Sequence, residues 1–523
     1  MTLTTAQLDR ACGVLLGTAA GDALGAAYEF GPPRGPELEV AMVGGGSFCW
    51  EPGEWTDDTS MAIVIAEVAA TGADLRDEEA LDAIVRRWRE WSQDAKDVGV
   101  QTRSVLNRAG RHGISAQTTR AESAGLHKRT SRTAGNGSLM RTAPVALAYL
   151  DDEAALVEAA RLVSDLTHAD PEAGDACVLW CLAIRHAILT GLLAARIGLQ
   201  HIDIDRRDLW ASRLAVAEAS QPSDFASNGW VVEALQAAWS AIATTPVPQD
   251  DPAKGVFRVD HLRLALDAAV RGGNDTDTVA AIAGGLLGAA YGASAVPAGW
   301  RRMLHGWPNL RTRDLVDVAS TIIRNGKPDG FDFTYSQYET GVVARDPYDD
   351  SVWLGDIGAL RSLPQGVDAV VSLCRVGTAD LPVGAEQIDV RLIDREGENA
   401  NLGFVLFDTV RAVEQLRREG RTVLIHCVQA QSRTPTVAAL YGARLRGISI
   451  AEALADVCDV LPNAHPIPEF REALRRLHPA APETQTVRLP KARVAFEHEL
   501  LRHDLLRQRC VAIRLLDYAV PRT

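Results

Sequence analysis

A chain of 523 residues is too long for one hydrophobic core, so two or more domains are expected. Its composition, 47% hydrophobic and 23% charged, is that of a globular protein, and a net charge of −14 argues against non-specific nucleic-acid binding. Eight cysteines form no CxxC pair and no disulfide framework, which suits reduced thiols and a cytoplasmic location.

The chain opens on an apolar run, ACGVLLGTAAGDALGAA (11–27), that faintly echoes a signal peptide. Asp22 interrupts it and a basic leader segment is missing, so export is not expected. No uninterrupted apolar stretch is long enough to span a bilayer, and no membrane partner is expected. Residues 5–325 then read as helix after helix, as in TSMAIVIAEVAATG, EALDAIVRRWREW, AALVEAARLVSDLTH and DTVAAIAGGLLGAAYGAS. This pattern predicts an all-α domain over 5–325. Gly and Ala are dense near its acidic clusters, where small residues permit close helix packing or close approach to a ligand.

The first cluster is GEWTDDTSMA (53–62), with Asp57 and Asp58 side by side at the start of an apolar run. Thr and Asp cap helices, and the macrodipole favours carboxylates there, so capping alone explains one such pair. A second pair, Asp275 and Asp277 in GGNDTDTVAAIAGGLLGAAYG (272–292), repeats the arrangement. Each cluster holds one more carboxylate than a cap needs. Like charges in a helical core cost free energy unless a cation offsets them. Hydroxyl and carboxylate oxygens are hard ligands, suited to magnesium or manganese rather than zinc or copper. Two such clusters could hold a pair of metals about 4 Å apart. Capped helices and a metal pair are the two readings that the spacing leaves open.

In this order, GDALGAAYE, GEWTDDTSMA, KDVG, GNGSLMRTAP, THAD and GNDTDTVAAIAGGLLGA resemble the ADP-ribosylglycohydrolase family, over roughly residues 8–305. The resemblance implies an all-α fold, two magnesium ions (manganese as a substitute) and hydrolysis of the bond between ADP-ribose and a modified side chain. It places Thr56, Asp57 and Asp58 in one metal cluster and Asp275, Asp277 and Thr278 in the other. Glu29 matches an acidic residue near substrate and metals. Asn136, Gly137, Ser138 and Met140 match the loop that contacts phosphate and ribose, and His168 a position in the ADP-ribose cleft. KDVG resembles the arginine-type members, which makes Asp97 the candidate acid–base residue and ADP-ribosyl-arginine the favoured linkage over ADP-ribosyl-serine.

The texture changes after Asn325. Residues 326–345 read as a linker rich in Gly, Pro, Asp and Tyr. Over 346–478 short apolar runs (SVWLGDI, DAVVSLCRV, EQIDVRLID, RTVLIHC) alternate with helical patterns, which predicts an α/β domain with a small sheet. Residues 479–523 read as an unassigned tail with one charged helix. In RTVLIHCVQAQSRTPTVAALYG (421–442) an apolar strand leads into Cys427, five residues, Arg433 and an apolar helix. That order builds a cradle for a phosphate dianion from loop N–H groups, a helix N-terminus and a bidentate Arg, and the same field favours a thiolate nucleophile.

This stretch resembles the dual-specificity, cysteine-dependent protein phosphatases. The resemblance implies a phosphocysteine intermediate, an upstream acid for the leaving oxygen and a hydroxyl that aids hydrolysis. Asp394 fits the acid, with Glu396 and Glu398 as alternatives, and Thr434 the hydroxyl. One position departs: the family has Gly three residues after the Cys, and this chain has Ala430. If positive φ is needed there, Ala strains the loop.

The leading reading is a bifunctional enzyme acting on an ADP-ribosylated protein or ADP-ribose derivative and on a phosphorylated substrate. The alternatives are an ADP-ribose- or phosphate-binding regulatory protein with an inactive phosphatase part, and a glycohydrolase of a small ADP-ribosyl compound.

Overall fold

Two long helices, Thr5–Gly25 and Thr276–Tyr291, run in backbone contact through the centre of the larger part of the molecule. Small residues make that approach achievable. A Cβ placed on Gly13 would lie 2.3 Å from the Gly288 carbonyl oxygen, on Gly17 2.2 Å from that of Gly284, and on Gly21 2.0 Å from that of Ala280. At Gly25 the nearest atom is the Cα of Asp277, at 2.4 Å. The Gly/Ala density near the acidic clusters therefore serves helix-to-helix approach.

The computed structural model describes residues 2–327, 341–377 and 380–479. Around the central pair pack further helices, among them Asp57–Ala69, Glu78–Asp94, Pro171–Thr190 and Val231–Thr244. Pro171–Thr190 shows how local sequence sets an element. Asp170 accepts the Glu172 N–H, Pro171 occupies the first helical position, and Gly191 ends the helix in the left-handed region. Trp55, Trp88, Trp180 and Trp210 are all fully buried in this core. Two helical stretches, Thr5–Tyr28 and Pro171–Thr190, reach the length and apolar content of a membrane span, contrary to the reading of the bare sequence. Their apolar windows are 89% and 78% buried inside the fold, as core helices are.

The smaller part carries a five-stranded sheet in the order Val343–Arg345, Val352–Gly355, Val423–His426, Ala369–Ser372, Glu386–Asp389. The first two strands pair antiparallel and the rest parallel. Val423–His426 is central and buried throughout, as a continuous apolar run predicts for a strand covered on both faces. Helices Leu402–Arg418 and Arg433–Arg446 follow in the βα manner. The sheet begins at Val343, inside the 326–345 segment read as a linker, because Val343–Arg345 finds its partner only across the turn to Val352–Gly355. Residues 328–340 of that segment and the tail from 480 lie outside the described residues.

The two parts form one body. Arg302 reaches Glu419 at 2.8 Å and also pairs with Glu386, and Arg313 reaches Asp389 at 3.0 Å. Asn401 donates to the Tyr291 carbonyl at 2.7 Å and to Ser294 Oγ at 2.8 Å. Phe257 packs edge-on against Phe404 and at a tilt against Phe407.

The glycine seam yields a direct prediction. Gly17→Ala forces a methyl into the Gly284 carbonyl, so we expect a loss of about 3 kcal/mol of unfolding free energy, the upper range for overpacking a tight core. Denaturant unfolding followed by circular dichroism measures it; an unchanged midpoint would show that the two helices can part freely.

Candidate active sites

The acidic centre is assembled by a residue that sequence reasoning passed over. Asp22, on the inner side of Thr5–Gly25, accepts the backbone N–H of Thr56 at 2.9 Å and of Thr59 at 3.0 Å. It thus caps the Asp57–Ala69 helix from another element. Thr56, at the N-cap position, makes no side-chain cap bond. Its hydroxyl faces Asp58 Oδ2 at 3.0 Å and Asp277 Oδ2 at 3.4 Å instead. Capping therefore does not account for Thr56 and Asp58, whose side chains turn toward the second cluster.

The carboxylates converge from four segments. Oxygens of Asp22, Asp58 and Asp277 lie within 4.8 Å of one another, as do those of Glu29, Asp275 and Asp277. Asp58 Oδ1, Asp277 Oδ1 and Glu29 Oε2 are buried without a hydrogen-bond partner. A buried unpaired carboxylate oxygen is costly, and three in one place call for a cation. The donors are all oxygen, which fits a hard divalent ion such as magnesium. Asp22, Glu29, Asp57, Asp58, Asp97, Asp275 and Asp277 are all pushed up, in each case first by burial. Glu29 reaches about 9, with Asp275, Asp97 and Asp57 adding repulsion. Thr278 is buried at the start of the same helix as Asp277 and lowers the Asp58 carboxyl against the effect of burial.

Asn136 donates to Asp275 Oδ2 at 2.7 Å and to the Asn228 carbonyl at 2.9 Å. Asn228, a second residue that no motif marked, accepts the Asp275 N–H at 3.1 Å and donates to the Gly273 carbonyl. Ser138 is buried with its hydroxyl unpaired, and Met140 is buried beside it. Gly137 lies against the His168 ring, where a Cβ would come within 3.1 Å. His168 itself is buried, bonded through Nδ1 to Thr167 Oγ1 at 2.7 Å, and held neutral by burial and by Arg141. The structure therefore places His168 beneath the Asn136–Ser138 turn as its support. Asp97 stands beside Asp57, whose carboxyl it pushes up more than any other charge does.

In the smaller part, Cys427 follows the central strand directly and is buried. Arg433 donates through Nη1 to the carbonyls of Leu373 (3.3 Å) and Leu392 (3.1 Å), and its Nε lies 3.7 Å from Asp394 Oδ2. Of the three acid candidates, Asp394 is the one beside Arg433; Glu398 is turned away, accepting the Thr5 hydroxyl. Thr434 Oγ donates to the Gly355 carbonyl at 3.2 Å. Ala430 has φ +54°, so the position does take the conformation usual for Gly.

The sequence profile described as ADP-ribosylglycohydrolase matches residues 3–328. The chain belongs to the ADP-ribosylglycohydrolase family. Among its relatives, "ADP-ribosylarginine hydrolase Tri1" of Pseudomonas putida is 34% identical over 316 residues, spanning 57% of this chain and 75% of that protein. "ADP-ribosyl-[dinitrogen reductase] glycohydrolase" of Rhodospirillum rubrum is 31% identical over 322 residues, 59% of this chain and 95% of that one. "Dual specificity protein phosphatase 1" of Arabidopsis thaliana is 32% identical over 88 residues, which span 17% of this chain and 43% of that protein. The family match thus takes in the acidic centre, and the likeness to the Arabidopsis phosphatase lies outside most of this chain's length, over 17% of it.

His426, at the end of the central strand, yields a pH prediction. It is fully buried, bonded through Nε2 to Ser372 Oγ at 2.7 Å, and burial lowers it from 6.5 to about 4. A histidine depressed by folding contributes stability above its unfolded value and loses it as pH falls toward the folded one. The stability difference between wild type and His426→Asn should therefore shrink by up to about 3 kcal/mol from pH 7 to pH 4. Parallel unfolding curves for the two proteins across that range would contradict it.

Proposed function

We propose that the chain hydrolyses the bond between ADP-ribose and a modified protein side chain, arginine first, with magnesium. We further propose that its C-terminal part is a cysteine-dependent phosphatase. The observation that carries the first proposal is the set of buried, unpaired oxygens on Glu29, Asp58 and Asp277. The family membership and the likeness to ADP-ribosylarginine hydrolase Tri1 support the choice of bond.

Thr56, Asp57, Asp58, Asp275, Asp277 and Thr278, with Asp22 and Glu29 beside them, are the residues that would hold the metal. Bound there, magnesium would offset their charge and fix the hydroxyls of the distal ribose. Asn136 holds Asp275 in place and, with Gly137, Ser138 and Met140, forms the turn that receives the nucleotide side. Cleavage at the anomeric carbon breaks its bond to the guanidino nitrogen and develops oxocarbenium character. Asp97 takes a proton from the attacking water and returns it to the leaving nitrogen.

In the second site Cys427 Sγ attacks phosphorus while Asp394 protonates the departing oxygen. Water then displaces the thiolate from the phosphocysteine, aided by Thr434. Arg433 orients the phosphoryl oxygens from a position fixed by two backbone carbonyls. The competing reading, phosphate recognition without turnover, rests on Ala430. An alanine at positive φ costs about 1 kcal/mol, which the loop bears while keeping its turn.

ADP-ribose release from an arginine-linked peptide should require magnesium, stop in EDTA, and fall at least about a hundredfold in Asp57→Ala/Asp58→Ala. No release with ADP-ribose binding retained would favour the binding-protein reading. For the phosphatase, p-nitrophenyl phosphate turnover should vanish in Cys427→Ser and drop about a hundredfold in kcat in Asp394→Asn. Ala430→Gly should add about 1 kcal/mol of stability while leaving KM within about twofold. Turnover that persists in Cys427→Ser would sink the phosphocysteine route.

A further inference from the structure

Beside the acidic centre lies a cavity of about 350 Å³, whose inner end touches Asp57 and Asp97. Its walls are indoles. Trp91 and Trp307 meet edge to face with centroids 6.5 Å apart, and Trp50 forms another side. Trp50 is 7% exposed and its Nε1–H has no hydrogen-bond partner. Toward solvent the cavity is acidic, with Glu54, Glu90 and Asp94 on its lining.

Three facts give this cavity a sign. The Glu78–Asp94 helix ends at it, and the C-terminal end of a helix carries partial negative charge. That end usually bears Lys or Arg, whereas this last turn holds no basic residue and ends on Asp94, with Glu90 one turn before it. The positive charge comes instead from Lys96, two residues beyond the helix. Its ammonium sits 4.9 Å from the Trp50 ring centroid and 2.7 Å from Glu54 Oε2. An ammonium held between an aromatic face and a carboxylate is how proteins bind cationic ligands. The chain thus displays the occupant's chemistry with its own side chain.

We propose that this cavity is the leaving-group pocket of the glycohydrolase. It takes the guanidinium of a modified arginine between the indole walls and Glu54, Glu90 and Asp94, with Lys96 holding the place until substrate displaces it. This rests on the glycohydrolase reading above and names what selects its acceptor. A planar guanidinium stacks on indole and bonds carboxylates through its edge, which a serine oxygen cannot do. The pocket meets the acidic centre at Asp57 and Asp97, where the bond to the anomeric carbon would lie. Glu90 and Asp94 touch neither reacting atom and act on binding alone.

The test uses the full chain with N-acetylarginine amide and its neutral analogue N-acetylcitrulline amide, read by tryptophan fluorescence. The arginine compound should bind and the citrulline compound should not. Glu90→Gln/Asp94→Asn, changed at exposed positions, should weaken arginine binding about tenfold. Lys96→Met should strengthen it a few fold by removing the competing cation. With an arginine-linked ADP-ribosyl peptide the double variant should raise KM about tenfold, keep kcat within about twofold, and leave the serine-linked peptide unaffected. Equal binding of arginine and citrulline compounds, or an unchanged KM in a double variant that still hydrolyses, overturns the pocket and leaves the hydrolase standing. Charge-dependent binding lost in the double variant, without ADP-ribose release by wild type, leaves the cavity a guanidinium site and overturns both the hydrolase and the leaving-group role.

Discussion

The acidic centre depends on how closely two helices approach. Side chains at the Thr5–Gly25 and Thr276–Tyr291 contact would hold the axes at the usual 8–10 Å or so. Glycines remove that spacing, and the last of them, Gly25, rests on the Cα of Asp277 itself. Asp22 lies between Gly21 and Gly25, so the same contact that joins the helices carries its carboxylate to Asp58 and Asp277. Packing and site are one feature here. Widening the seam by a methyl would change the distance between carboxylates along with the stability.

Once these carboxylates are together, their charge governs the neighbourhood. Seven of them are pushed up by burial, so the cluster resists holding its full negative charge without a counter-ion. The helical part meets this with cation-seeking chemistry on two sides: unpaired oxygens inward, and an indole-and-carboxylate cavity outward that already draws in Lys96. The sheet part has the reverse polarity. Arg433 stands at the mouth of the Cys427 turn with Asp394 at 3.7 Å, an arrangement suited to an anion.

Much of this was legible along the chain because the groups concerned are contiguous. TDDT and NDTDT each precede an apolar run, and Cys427 and Arg433 stand in strand–turn–helix order, so local patterns marked both candidate clusters. Asp22 escaped because one carboxylate inside an apolar helix reads as an interruption. Its partners, Thr56 and Thr59, are 34 and 37 residues away, and only the folded backbone shows that it caps their helix. Asn228 had no signal at all: it serves Asp275 and Asn136 through a loop whose course no periodicity encodes. The doubt over Ala430 was legible as chemistry, and the structure answered it with a positive φ. The start of the sheet was misplaced because three residues, Val343–Arg345, carry too short a pattern to stand out from the loop before them.

The joint between the parts is also invisible to local reading, and it bears directly on Asp394. The segment from Asp389 to Asn401 is held at both ends by the helical part. Arg313 grips Asp389, and Asn401 donates to the Tyr291 carbonyl and Ser294 Oγ. Between those ends Glu398 accepts the Thr5 hydroxyl, and the Leu392 carbonyl accepts from Arg433. A loop with fixed ends and two internal tethers has little conformational entropy left to lose. Asp394 is therefore presented to Arg433 by a frame that the sheet alone does not supply. The strand Glu386–Asp389 is the edge of the sheet, and its free side would otherwise stand open to pairing with another chain. Arg302 and Arg313 clamp its two ends, and Phe257 packs on Phe404 and Phe407 of the following helix. Separated from the helical part, the sheet would expose an edge and two aromatic rings and would free the loop that carries Asp394. That is a physical reason for the two parts to share a chain, independent of any substrate.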